Sequence, residues 1–171
     1  MKPSALLINT ARGPLIDTEA LAKAGYRHRG VFGKWHLGHN DTKWHPNNQG
    51  FTHFHGHYNG AIDYFALTRE GERDWHLNEQ TSGEQGYATD LIAGAASRFI
   101  AQHAKGDAPY FCYVPFNAPH SPFQAPEKHL KKFAHLAKGD ARGKNRYLRQ
   151  KVAAMVSCMD CLLYTSDAAD E

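Results

Sequence analysis

Within "VFGKWHLGH" (31–39), Lys34 and His36 stand two residues apart in an apolar run. On a strand, residues i and i+2 share a face, so both side chains would aim at one point. A lysine ammonium holds an anion and an imidazole moves a proton near neutral pH. The plain alternative is a strand end with two solvated polar groups. His120 lies in "APHSP", where Pro119 and Pro122 stiffen a loop that directly follows an apolar run. Such a loop is a usual place for a working side chain, and a surface histidine is the alternative. His53, His55 and His57 alternate in "THFHGHY". On a strand they would share a face and suit a transition metal. No cysteine or carboxylate completes such a set, and Gly56 weakens a strand, so a polar loop is the favoured reading. Asp63 and Asp74 read as capping or surface residues. Cys158 and Cys161 form a CxxC with no second pair, a weak zinc signal.

These residues need a scaffold. "ALLIN" (5–9) reads as a buried strand and "ARGP" (11–14) as a turn. Asp17 is placed to cap a helix through "TEALAKAG", which Gly25 would end. "GVFGKW" (30–35) reads as a second strand and residues 38–60 as loop. "AIDYFAL" (61–67) reads as a strand, with a polar turn at 69–74. A helix is expected from Thr89 or Asp90 as cap, with Leu91, Ala95 and Phe99 on one face and Ile92, Ala96 and Ile100 beside them. "YFCYVPF" (110–116) is apolar on both faces, as in a covered sheet. A Lys-rich helix is expected over 126–136. A last helix should start near Lys144, with Leu148, Val152, Met155, Val156 and Met159 on one stripe. Strands alternating with helices predict an α/β layered fold.

Composition narrows the classes. The chain has 171 residues, 42% of them hydrophobic, enough for a real core. A net charge of +3 is too mild to argue for nucleic-acid binding. Its three cysteines are too few for a disulfide framework. No apolar run approaches membrane-span length, and "MKPSALLINTARG" lacks the pattern of a secretory signal.

From about Gly25 to Asp160 the chain resembles type I sulfatases, of the arylsulfatase kind in the alkaline-phosphatase-like superfamily. The matching stretches are "AGYRHRGVFGKWHLG", "NQGFTHFHGHYNGAIDYF", "GYATDLIAGAASRFI", "PYFCYVPFNAPHSPFQAPEKHLKKF" and "AAMVSCMD". "GKWHLG" is a specific motif, and "APHSP…AP" supports it. The "QGF…GHYNGAIDYF" segment is similar to bacterial relatives of arylsulfatase B. The resemblance implies part of a sulfatase sandwich, a mostly parallel central sheet flanked by helices. It implies attack on a sulfate ester by a formylglycine made from a C/S-x-P-x-R motif, with calcium polarising the sulfate. Carried over, Lys34 contacts sulfate, His36 hydrogen-bonds the formylglycine, and His120 contacts sulfate and assists the leaving oxygen. Asn59 is a further candidate sulfate contact. The expected partner is a sulfate-ester small molecule or a sulfated glycan. Parents of this kind are often periplasmic, secreted or lysosomal.

The sequence departs from that pattern. Neither a cysteine nor a serine begins C/S-x-P-x-R, and the acidic pair and the Asp-Asn pair that hold the metal are missing. No metal ligand is therefore assigned, and the chain by itself is expected to be inactive. Residues 1–24 do not resemble a sulfatase. "LINTARGPLIDTEAL" resembles a D-2-hydroxyacid dehydrogenase segment whose arginine, Arg12 here, binds the substrate carboxylate. That family's other motifs have no counterpart, so Arg12 reads as a stranded turn residue. The seam is expected between Asp17 and Gly25. The tail, residues 161–171, resembles a translated sequencing-library adapter. Three alternatives stay open: a dehydrogenase fragment, a His-rich metal-binding module, and a phosphatase or phosphodiesterase of the same superfamily.

Overall fold

The computed structural model describes residues 16–138 and 147–167. The strand expected at 5–9, the turn at 11–14, Arg12 and the helix start near Lys144 lie outside the described residues. The first element is helix α1, Thr18–Lys23; the Asp17 carboxylate accepts the Ala20 N–H at 2.8 Å, and Gly25 follows at φ 90°. Asp17 thus satisfies one of the orphan donors of the first turn, and glycine takes the left-handed exit.

Strand β1, His28–Lys34, is the centre of the main sheet. It pairs in parallel with β2, His53–His57, and on its other side with β7, Tyr110–Tyr113. Four two-residue strands lie between: β3 (Thr68–Arg69), β4 (Glu72–Arg73), β5 (His76–Leu77) and β6 (Gln80–Thr81). β3 and β4 form a separate hairpin, whereas β5 and β6 extend the main sheet antiparallel, giving the order β6-β5-β2-β1-β7. Helices α2 (Ala88–His103), α3 (Glu127–Lys132) and α4 (Leu148–Asp167) complete the described elements.

Alternation along β1 separates two cores. Phe32 joins Ile92, Ala95, Ala96 and Phe99 of α2, Met155 of α4, and Trp75. Val31 points the other way, onto Leu21 of α1, Phe51, Phe54 and Phe111. Each such fully buried side chain contributes roughly 1.5–3 kcal/mol over leaving it in water. The expected α/β architecture, a central sheet flanked by helices, is therefore what the chain adopts.

Several local expectations are corrected. The histidine-rich segment 53–57 is a strand, because β1 supplies a parallel partner that its own composition does not reveal. Residues 61–67 are not a strand. Asp63 accepts the N–H groups of Phe65 and Ala66 and its carbonyl accepts that of Leu67, closing a turn that buries Tyr64 and Leu67. The residues are apolar because the turn is buried. Helix α2 is entered through Tyr87, with no side-chain cap; Thr89 is buried inside the helix and Asp90 lies in its first turn, favourable to the dipole. On α4 the buried face is Ala154, Met155 and Cys158, with Leu162 packed beside it, and Val156 is exposed. Cys158 and Cys161 are separated by burial, the first in the core and the second exposed.

Candidate active site

The three parallel strands end on one edge. In open α/β sheets, ligands bind outside the carboxyl ends of the strands. Lys34 is the last residue of β1, paired in register with His57, the last of β2. On the other side, the Lys34 N–H donates to Pro115 O at 2.8 Å, just past β7. The chain then breaks strand geometry. Trp35 N–H donates to His57 O and His36 N–H to Tyr58 O, and His36 takes φ 54°. The i, i+2 rule of a regular strand therefore does not set the direction of His36. Its ring lies over Gly60, where a methyl group would fall 2.5 Å from Nε2.

His120 lies in the loop that leaves the carboxyl end of β7. Its N–H donates to Asn117 O at 2.9 Å, and its carbonyl accepts the Tyr64 hydroxyl at 3.0 Å. Gln124 ties the same loop down, accepting Tyr64 N–H and, through its carbonyl, the Tyr87 hydroxyl. The peptide bonds Ala118–Pro119 and Ser121–Pro122 are cis. His120 Nδ1 lies 2.7 Å from Ser121 O. A carbonyl only accepts, so Nδ1 carries the proton and Nε2 is the acceptor of the neutral ring.

Asn59 follows β2. Its N–H and its Nδ2 both donate to Asp74 Oδ2 at 2.9 Å. Asp74 is buried and also accepts Tyr58 N–H, with His76 Nε2 at 3.1 Å. Burial opposes its charge, but hydrogen bonds from His76, Tyr58 and Asn59 outweigh it and hold the carboxyl well below the usual range. Asp74 is thus neither a cap nor a surface residue. It shapes the Tyr58–Asn59 turn beside the candidate site. Asp63 does cap a turn, as expected, and also accepts Gln124 Nε2 at 2.6 Å.

Two residues at this edge have surroundings that the sequence did not give them. His57 is fully buried, and among the described residues neither ring nitrogen makes a hydrogen bond of full geometry, although the Asn59 backbone lies close enough to favour its charged form. Burial drives its pKa down to about 4; Asp74 opposes the shift, and Lys34 and His36 add to it. The ring is stacked on Trp75 at 6.4 Å. Asn117 is 3% exposed, and among the described residues both of its amide atoms are unpartnered. The HxHxH alternation marked His57 as a candidate metal ligand in a polar loop, not as a buried ring on a strand, and nothing in the sequence marks Asn117.

The three alternating histidines diverge. His53 packs edge-on against His103 and Phe99, His55 bonds Glu84 Oε2 at 2.6 Å, and His57 lies on Trp75. Among the described residues, no group of three or more His, Cys, Asp or Glu is placed to hold a metal ion. Calcium takes about six to eight oxygen ligands. The Asp74 oxygens already serve Tyr58, Asn59 and His76, and those of Asp63 serve Phe65, Ala66 and Gln124. The described residues therefore do not fit calcium. They can offer an anion cationic and imidazole contacts at the sheet edge.

Comparison with known proteins bears on that chemistry. A family model described as Sulfatase matches residues 18–167. A second, the NAD binding domain of D-isomer specific 2-hydroxyacid dehydrogenase, matches residues 1–29. Arylsulfatase J of Mus musculus is 29% identical over 167 residues, 93% of this chain and 26% of its own length. The N-acetylgalactosamine-6-sulfatase of Mus musculus is 32% identical over 138 residues, 72% of this chain and 26% of its own. The chain spans about a quarter of the length of these relatives. Among solved structures, Ps i-CgsB in complex with k-i-k-neocarrahexaose has a TM-score of 0.72 at 25% identity, over 89% of this chain and 35% of that one. BT4656 in complex with its substrate D-glucosamine-2-N,6-O-disulfate has a TM-score of 0.53 at 26% identity, over 73% and 23%.

Proposed function

The chain belongs to the sulfatase family, and from that premise we propose that it is the sulfate-contacting portion of a sulfuric ester hydrolase acting on a sulfated glycan. The observation that carries the reading is the common edge. Lys34 of "GKWHLG" and the loop bearing His120 of "APHSP" leave adjacent parallel strands, joined by the Lys34 N–H on Pro115 O. Lys34 holds a sulfate oxygen, His36 hydrogen-bonds the nucleophile, and His120, carrying a second proton on Nε2 while Nδ1–H stays on Ser121 O, passes that Nε2 proton to the leaving oxygen. Cationic donors stabilise charge that grows on that oxygen as the ester bond breaks. Asn59 has one amide hydrogen committed to Asp74, and the second is the donor that would meet sulfate. A glycan substrate is supported by the sugars named with Ps i-CgsB and BT4656.

The family's chemistry is metal-dependent. Formylglycine as nucleophile and calcium as metal are proposed for the parent. This chain has neither the C/S-x-P-x-R motif nor, among the described residues, a fitting ligand set. By itself it is therefore catalytically silent. We further propose that residues 1–24 derive from a dehydrogenase-like sequence and 161–171 from an adapter, leaving 25–160 as the sulfatase part. DNA reads across codons 17–25 and 160–161 of the source test both seams.

The activity test is sulfate release from a chromogenic aryl sulfate after co-expression with a formylglycine-generating enzyme. No turnover is expected, and turnover above background overturns the silence. In the complete parent, Lys34→Ala and His120→Ala should each lower kcat/KM by about 10²–10⁴-fold. Unchanged kinetics in both would overturn the assigned roles.

A further inference from the structure

Trp44 is 47% exposed, whereas Trp35 and Trp75 are 7% and 0%. A single exposed apolar residue is ordinary on a surface, but Trp44 is held in place. Its carbonyl accepts the Trp35 indole N–H at 2.8 Å, and its own N–H donates to Asp41 O at 3.0 Å. Its Cβ lies against Gly38, at φ 120°, where a methyl group would fall 2.8 Å away. Gly38 is two residues from His36, so their Cα atoms are at most about 7.6 Å apart across two trans peptides. The indole therefore stands on the loop that leaves the candidate sulfate site.

Its surroundings are selective. Lys43 Nζ lies 5.1 Å from the Trp44 ring centroid and 2.9 Å from Asp41 Oδ2. Both charged side chains are about half exposed or more, 63% for Lys43 and 49% for Asp41. The ammonium over the ring is thus paired with a carboxylate that cancels its charge. An additional sulfate would meet the Asp41 carboxylate, and a wholly apolar ligand would leave the ion pair unused. A pyranose has a C–H face for the indole and a rim of hydroxyls that can both donate and accept.

We propose that Trp44, Lys43 and Asp41 form a subsite for an unsulfated pyranose unit next to the sulfated one. The proposal rests on the reading of Lys34 and His36 as sulfate contacts and adds that the substrate is recognised through its neighbouring sugar. It distinguishes glycan esters from simple aryl esters.

The test uses the full 171-residue chain, whose three indole N–H resonances report its three tryptophans separately. Methyl sulfate probes the sulfate contacts through the imidazole resonances of His36 and His120. Sulfated hexasaccharides of the galactan, glucosaminoglycan and galactosaminoglycan types, with their desulfated forms, probe Trp44. A sulfated hexasaccharide should shift the Trp44 indole and leave those of Trp35 and Trp75 in place. Trp44→Ala should weaken hexasaccharide binding about tenfold, the size of one good aromatic contact, and leave methyl sulfate binding unchanged. Trp44→Phe should restore part of the loss. Equal hexasaccharide binding by wild type and Trp44→Ala, or no Trp44 shift with any of the sugars, overturns the subsite. Methyl sulfate without effect on either histidine overturns the sulfate reading instead, and a Trp44 shift with desulfated sugar would leave the sugar site standing.

Discussion

Lys34 and His57 face each other across the parallel ladder of β1 and β2, a cationic residue beside a buried imidazole that makes no hydrogen bond of full geometry among the described residues. Burial is the main force against charging this ring, and a second positive charge here would also meet Lys34 and His36, with Asp74 and the Asn59 backbone opposing. The ring is therefore kept neutral, with its pKa held at about 4.

That arrangement predicts acid lability. The unfolded chain binds a proton at His57 near pH 6.5, and the folded chain only near pH 4. Between these values the unfolded state holds more protons, so stability falls as pH drops through that window. The loss from this group is about 3 kcal/mol. Asp74, whose carboxyl is depressed, adds a further loss at lower pH still. Denaturant midpoints measured from pH 7 to pH 4 should fall, and His57→Phe should flatten the slope while raising stability at pH 7 by about 1–3 kcal/mol, since an unpaired buried polar group is removed. An unchanged slope in His57→Phe would count against the assignment.

Asp74 should be costly to remove. It accepts two backbone N–H groups and two side-chain donors that stay at least partly buried without it. Asp74→Ala should lose about 3–5 kcal/mol, the usual size for breaking a buried charged network. Asp74→Asn should lose less, because one oxygen still accepts. Thermal unfolding of both variants reads the difference.

The glycines at the heart of the sheet should tolerate nothing larger. Gly33 and Gly56 are register partners, and a methyl on Gly56 would overlap the backbone of Gly33. Gly33 has φ 126° and lies against the carbonyl of Pro115. Gly56→Ala should therefore destabilise by at least about 2 kcal/mol through forced strand separation. Amide exchange should speed up in both β1 and β2. Protection that changes only in β2 would argue against the close approach.

Metal titration should be unremarkable at the alternating histidines. His53, His55 and His57 lie beside different groups, and none of them sees the other two as a ligand set. Any zinc or nickel bound by the chain should survive the triple substitution to alanine in stoichiometry, as read by equilibrium dialysis. Loss of a stoichiometric ion with that substitution would revive the metal-binding reading.

Much of this was legible in the residues. The Asp17 cap, strand β1, helix α2 and the loop after β7 follow from local signals: a carboxylate before a periodic run, branched and aromatic alternation, and clustered prolines. What local patterns missed was tertiary. Segment 53–57 reads as a polar loop until β1 lies beside it and α2 and Trp75 cover its histidines. Segment 61–67 reads as a strand because a buried turn needs the same apolar residues as a buried strand. Lys34, His36 and His120 stand out by residue type, spacing and loop context, and the roles proposed for them come from motif resemblance. Asn117 and the burial of His57 depend on contacts between distant segments that no single stretch encodes.

Helix α4 runs unbroken from Leu148 to Asp167, straight across position 160/161. A helix samples only backbone torsions and the recurrence of apolar side chains every third or fourth residue. It has no memory of where its codons came from. Leu162 packs beside the core simply because it falls one turn after Cys158. A seam of the kind proposed at 160/161 would lie inside a continuous helix, and smooth geometry there carries no information about shared ancestry.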